Sequence, residues 1–219
     1  MSAALRALVL VLAGFFFAGS AGAQTLACNP STPRTDPGIG FTTFGAAEQA
    51  LARGGNSGPA WEWALGTDTE GSAKVQGSLD WVSGKTYGWT LAYSGSGSAT
   101  LEVRDGATVV LSLAYASGMD AGNALQLQVG TNPSIGATTT IAASVGSING
   151  NAVSGSVSQT GNNQESAQSL YFYYPPMSQG ITATGTVSLT YVSLPTGSRV
   201  QFTAKAGTIP CSNLAPTVS

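Results

Sequence analysis

The sequence predicts an all-β protein: an antiparallel β-sandwich, jelly-roll or Greek-key in its connections, with ten or eleven strands and one short helix. Three observations predict it. Gly, Ser, Thr and Ala dominate the 219 residues, apolar side chains alternate with small polar ones, and turn residues recur between the alternating runs.

The first strand is "AWEWALG" (60–66), where Trp61, Trp63 and Leu65 share one face because strand side chains alternate with period two. In "AKVQGSLDW" Val75, Leu79 and Trp81 oppose Lys74, Gln76, Ser78 and Asp80. "TYGWTLAY" puts Tyr87, Trp89, Leu91 and Tyr93 together after the "VSGK" turn. "ATLEVRDGATVVLSL" is a hairpin signal, with Asp105-Gly106 supplying a turn that tolerates positive φ. "ALQLQVG" alternates strictly, a second hairpin turns at Asn149-Gly150, and a third is expected in "GTVSLTYVSLPTGSRVQFTAKAG", turning at Pro195 to Ser198. Only "GAAEQALAR" (45–53) has a helical composition, and "QTGNNQESAQ" (159–168) forms a polar loop. No linker divides the chain and no repeat of fixed period is present, so one domain, 24–219, follows a leader.

That leader is residues 1–23: Arg6, the apolar run "ALVLVLAGFFFAG", then Ala21-Gly22-Ala23, the pattern of a cleaved export signal. The run is shorter than the ~20 residues that cross a bilayer, and no membrane span is expected. Cys28 and Cys211 are the only cysteines. A lipoprotein signal wants Leu where Thr25 stands, so a lipid on Cys28 is not expected. In an exported chain the two cysteines are expected to pair, closing a loop worth at most about 5 kcal/mol in the chain-entropy model. After Cys211 "SNLAPTVS" carries no sorting motif, and a secreted, extracellular or periplasmic location follows.

Without the leader, seven basic and ten acidic residues remain, with no basic cluster. Nucleic acid is therefore not an expected partner, because phosphate neutralisation needs clustered Lys and Arg. Histidine is absent, which removes Ser-His-Asp and Cys-His catalysis and imidazole-based zinc sites. No phosphate- or dinucleotide-binding loop is present, and no cofactor is expected. What remains for catalysis is a carboxylate pair of the glycosidase kind, with Glu62, Glu70, Glu102 and Glu165 as candidates. Only Glu62 is flanked by tryptophans, and one carboxylate is not a pair, so no catalytic residue is assigned.

Binding has more to draw on. The tryptophans lie on the apolar phase of their strands and are expected in the core. In "LYFYYPPM" Leu170, Phe172 and Tyr174 share a phase, which leaves Tyr171 and Tyr173 on the other face as a small platform for sugar or peptide. Asp68 and Glu70, and Asp120 and Asn123, offer oxygen ligands for calcium in turn-rich stretches, but neither pair follows a ligand spacing and no metal is assigned. Thr182, Thr184, Thr186, Ser188 and Thr190 form an outward hydroxyl row. Threonine is a favoured strand residue in its own right, and a flat hydroxyl face also suits ice or a polymer.

"WEWALGTDT", "GWTLAYSGSGSATLEVRDG" and "GTVSLTYVSLPTGSRVQFTAKAG" together resemble the bacterial choice-of-anchor W domain over most of residues 39–206. That resemblance implies a secreted β-rich domain without established enzymatic activity, attached at the cell surface by varied C-terminal signals. The chain departs from it in lacking such a signal after Cys211. The expected function is thus that of a non-catalytic surface or matrix module, with a cell-surface polysaccharide or matrix protein as partner. A carbohydrate-binding protein using Tyr171 and Tyr173 is the first alternative, and a small jelly-roll glycoside hydrolase using Glu62 the second.

Overall fold

The computed structural model describes residues 42–43, 50–53, 60–67, 69, 72–116, 122–132, 135–174, 180–193 and 200–209, with residues 42–43, 50–53, 60 and 61 through their backbone alone. The leader and both cysteines lie outside the described residues. Thirteen strands are present: β1 (Thr42–Thr43), β2 (Ala50–Arg53), β3 (Ala60–Gly66), β4 (Lys74–Asp80), β5 (Thr86–Tyr93), β6 (Ala99–Asp105), β7 (Thr108–Tyr115), β8 (Ala124–Thr131), β9 (Thr140–Ile148), β10 (Asn151–Thr160), β11 (Ser166–Tyr173), β12 (Ile181–Thr190) and β13 (Val200–Thr208). Eleven have seven residues or more; the two short ones, β1 and β2, account for the excess over the expected count.

All pairings are antiparallel. Sheet A runs β11-β8-β13-β2-β3-β4 with β1 also on β13, and sheet B runs β10-β9-β12-β5-β6-β7. The two sheets face each other across one core, in which Trp89 of sheet B meets Phe202 of sheet A with ring centroids 5.8 Å apart. Trp63 stacks on Trp81 at 6.0 Å and tilts against Phe202 at 6.1 Å. Trp63, Trp81 and Trp89 are buried, as their strand phase predicts. The side chain of Trp61 lies outside the described residues.

Gly185 in the middle of β12 is needed for this core. It pairs with Trp89, and a Cβ there would sit 1.9 Å from the Ser144 carbonyl oxygen and 2.6 Å from the Trp89 ring. The bare backbone leaves room for the indole, whose Nε1 donates to the Thr186 carbonyl at 3.2 Å.

Two expected hairpins form, one of them with its turn shifted by a residue. At Asn149-Gly150 both residues have positive φ (51° and 77°), the requirement of a type I′ turn. Between β6 and β7 the central pair is Gly106-Ala107, with Gly106 at φ 58° and Asp105 opposite Thr108, one residue later than the dipeptide suggests.

Three expectations are corrected. The short helix is not seen among the described residues: Ala50–Arg53 is strand β2, held between β13 and β3. Helix propensity is a weak preference, and two flanking ladders outweigh it. The third hairpin does not form either. β12 lies in sheet B between β5 and β9, with both edges occupied, so the chain leaves that sheet and β13 pairs with β8 and β2 in sheet A. The polar loop is shorter than 159–168, because β10 continues to Thr160 and β11 begins at Ser166.

Candidate binding surface

The outer face of sheet B is built from the residues that the alternation leaves out of the core. Along β12 these are Thr182, Thr184, Thr186, Ser188 and Thr190, the hydroxyl row visible in the sequence. The register lines them up with other small side chains. Ser156, Ser144, Thr186 and Gly88 form one row across four strands; Ser158, Ala142, Ser188 and Thr86 form the next. Ser147, Thr184, Thr90, Glu102 and Ser112 form a third.

Hydroxyls in these rows bond across strands, Ser147 to Thr184 at 2.6 Å and Ser144 to Thr186 at 2.8 Å, and beyond them Thr140 bonds to Thr160 at 2.9 Å. A hydroxyl carries one hydrogen and two lone pairs, so each bonded pair keeps one donor and three acceptor positions for a ligand. The bonds also fix rotamers, which lowers the ordering cost of binding.

Within the three rows Glu102 is the one charged side chain. It is bridged at 2.6 Å by Arg104, next along β6 on the same face. At the β5–β6 end Lys85 pairs with Asp105, which holds the Lys85 ammonium above its ordinary range through the hydrogen bond. Ala92, Thr100 and Ala114 stand side by side on β5, β6 and β7. Together with Ser94, Ser98 and Tyr115 they line an open trough of about 360 Å³ in which small apolar side chains and hydroxyls both take part. Among the described residues the face is thus flat, nearly neutral, and provided with both donors and acceptors.

Sheet A differs. Tyr171 and Tyr173 do lie opposite Leu170 and Phe172 in phase, but the Tyr171 ring is 8% exposed and its hydroxyl accepts from Gln126 Nε2 at 3.1 Å. Tyr173 is half-buried. Gln126 itself is buried, although its phase in "ALQLQVG" predicts an exposed residue; it also donates to Ser169 Oγ at 3.2 Å. Nothing in the local sequence marks β8 as covered on both faces.

The carboxylates are dispersed. Glu62 on β3 is half-exposed, accepts from Gln76 and lies 4.0 Å from Lys74 Nζ on the outer side of sheet A. Glu102 occupies the outer side of sheet B, so the core lies between them, and Glu165 is exposed in the β10–β11 loop. Glu70 lies outside the described residues, as do Asp68 and Asp120. Asn123 is a structural clamp: its side chain donates to the Ile209 carbonyl at 3.0 Å and accepts from the Ile209 amide at 2.8 Å, fastening the end of β13. No helix among the described residues is long and apolar enough to cross a membrane.

Fold and surface define the chain as an antiparallel β-sandwich with one open hydroxyl-rich face. No protein-family model matches it, and no curated protein is similar to it.

Proposed function

We propose that the chain is an exported, non-catalytic module that attaches to an uncharged polymer, a neutral polysaccharide of the cell surface or its surroundings, through the outer face of sheet B. The observation that carries this reading is the register of that face: rows of Ser and Thr across four strands, held by cross-strand hydroxyl bonds and opening into the Ala92–Thr100–Ala114 trough. Flat arrays of fixed neutral donors and acceptors match the hydroxyls of a sugar chain, and small side chains let its rings approach the sheet. The export-signal pattern of residues 1–23 supports the extracellular setting.

Co-sedimentation with insoluble cellulose, chitin and β-1,3-glucan tests it, with anionic alginate gelled by calcium as the charged comparison. Binding to at least one neutral polymer, weakened by Thr184→Lys with Thr186→Lys, is the expected result. Binding to alginate alone, or to none of the four, contradicts it.

A further inference from the structure

The geometry points to the β7 edge of sheet B as a seam at which two copies of this chain pair strand to strand. β7 is the last strand of its sheet and pairs, among the described residues, with β6 alone. Among the described residues no strand pairs with the opposite row of backbone N–H and C=O groups, and an extended strand is the partner that satisfies such a row.

Edge strands are ordinarily protected by charge, proline or a bulge. Sheet A ends on β4, which carries Lys74 and Asp80, and on β11, which is uncharged but keeps Leu170, Tyr171 and Phe172 buried; the far end of sheet B, β10, has a register shift between Ala152 and Gly155. β7 reads "TVVLSLAY", without charge, proline or glycine. Its one irregularity lies near the hairpin end, opposite Val103 and Arg104, so Leu111 to Tyr115 form a regular edge. Of the four large apolar side chains exposed among the described residues, two, Val109 (41%) and Val110 (36%), belong to this strand.

The occupant that fits is a second copy. An uncharged strand meets itself antiparallel without like charges opposed, and a two-fold axis closes both free edges at once. Pairing β7 with β10 of another copy would instead build an open chain, and the β10 irregularity opposes it. With the axis at Ser112, Leu111 and Leu113 meet on the core side and Val110 and Ala114 on the outer side. The two six-stranded sheets become one, and their hydroxyl faces lie side by side. This goes beyond polymer binding and does not depend on it.

Sedimentation equilibrium of the full chain, purified after export, provides the test. A reversible dimer is expected below roughly 0.5 mM, the range in which weak pairing is populated. Ser112→Lys, which places like charges opposite each other, is expected to weaken association tenfold or more with an unchanged thermal melt. Mixing Ser112→Lys with Ser112→Glu chains is expected to restore a heterodimer, and Thr184→Lys on the hydroxyl face to leave the dimer intact. If Ser112→Lys does not fold, Ser112→Glu, which opposes like charges in the same way, carries the test with Ser112→Arg as its complement. A wild-type chain that stays monomeric, or a dimer that persists through the Ser112→Lys and Ser112→Glu variants, overturns the proposal. Since no polymer is present, its failure is distinct from failure of the polymer-binding reading.

Discussion

The outer faces of the two sheets follow the same alternation rule and end in different conditions. On sheet A part of the outward phase is closed, with Ala64 1% exposed, Thr203 0%, and Gln126 and Tyr171 8% each, while Glu62, Gln76 and Ser78 on β3 and β4 are exposed. On sheet B the outward residues Thr182, Thr186, Thr190, Ser156, Ser158, Thr100 and Ser112 are all exposed. Side-chain length accounts for much of the difference. Gln76, Gln126, Gln128, Gln201, Lys205 and Tyr171 share the outer phase of sheet A, where long side chains shield their neighbours, while sheet B carries Ser, Thr, Ala and Gly at nearly every outward position. Period two assigns a residue to a face, and the size of its neighbours determines whether that face meets water.

The contrast is broken most severely by charge. Thr203→Lys places an ammonium at a fully buried position on β13 and is expected to cost about 3–5 kcal/mol, the effect of an uncompensated buried ion. Thr186→Lys, in the same kind of strand position on sheet B, is expected to stay within about 0.5 kcal/mol of wild type. Paired thermal or urea melts check both; equal losses would show the two faces to be alike.

A smaller effect separates the hydrogen-bonded networks. Gln126→Ala leaves the buried Tyr171 hydroxyl without its Gln126 donor and is expected to cost about 1–3 kcal/mol in urea unfolding. Across sheet B, a double-mutant cycle of Ser144→Ala and Thr186→Ala is expected to give a coupling of only about 0.2–1 kcal/mol, because the bonded pair is exposed and water replaces it. A larger coupling on sheet B than the Gln126 loss on sheet A would reverse the comparison.

Alkaline pH acts on both sheets. Tyr174, fully buried just beyond β11, has no hydrogen-bond partner for its hydroxyl among the described residues, and burial raises its pKa far above the ordinary value near 10. Lys85 at the end of sheet B is also raised, through Asp105. For both groups the folded pKa exceeds the unfolded one, so their contribution is complete below about pH 10 and falls as the pH climbs past it. Stability is expected to hold from neutral pH to about 9.5 and then decline, and Tyr174→Phe is expected to reduce that decline. A chain whose melting point is unchanged at pH 11, or a Tyr174→Phe variant that declines as the wild type does, contradicts this assignment.

Much of the fold was legible because strand phase is local. Trp63, Trp89, Leu91, Tyr93 and Phe172 declare themselves by alternation, and Asn149-Gly150 by its turn chemistry. The failures share a cause. Pro195 to Ser198, outside the described residues, has turn chemistry, but turn chemistry does not say which sheet receives the next strand, and β12 already had neighbours on both sides. "GAAEQALAR" has helical composition, yet Ala50–Arg53 is drawn into a sheet by partners far away in sequence. The candidate site was half legible. The Thr182–Thr190 row followed from period two, whereas its continuation through Ser144, Ser147 and Ser156 needed the β10-β9-β12 pairing order, which no local pattern contains. Tyr171 had the right phase, and the closing of its face was invisible for the same reason.

The most direct measurement compares three chains on one insoluble neutral polysaccharide that wild type binds: wild type, Thr184→Lys with Thr186→Lys, and Tyr173→Ala. If the open face of sheet B is the binding surface, the lysine pair weakens binding tenfold or more, about 1.4 kcal/mol, while Tyr173→Ala leaves it unchanged. Undiminished binding by the lysine pair, with loss in Tyr173→Ala, would move the site to sheet A and contradict the account.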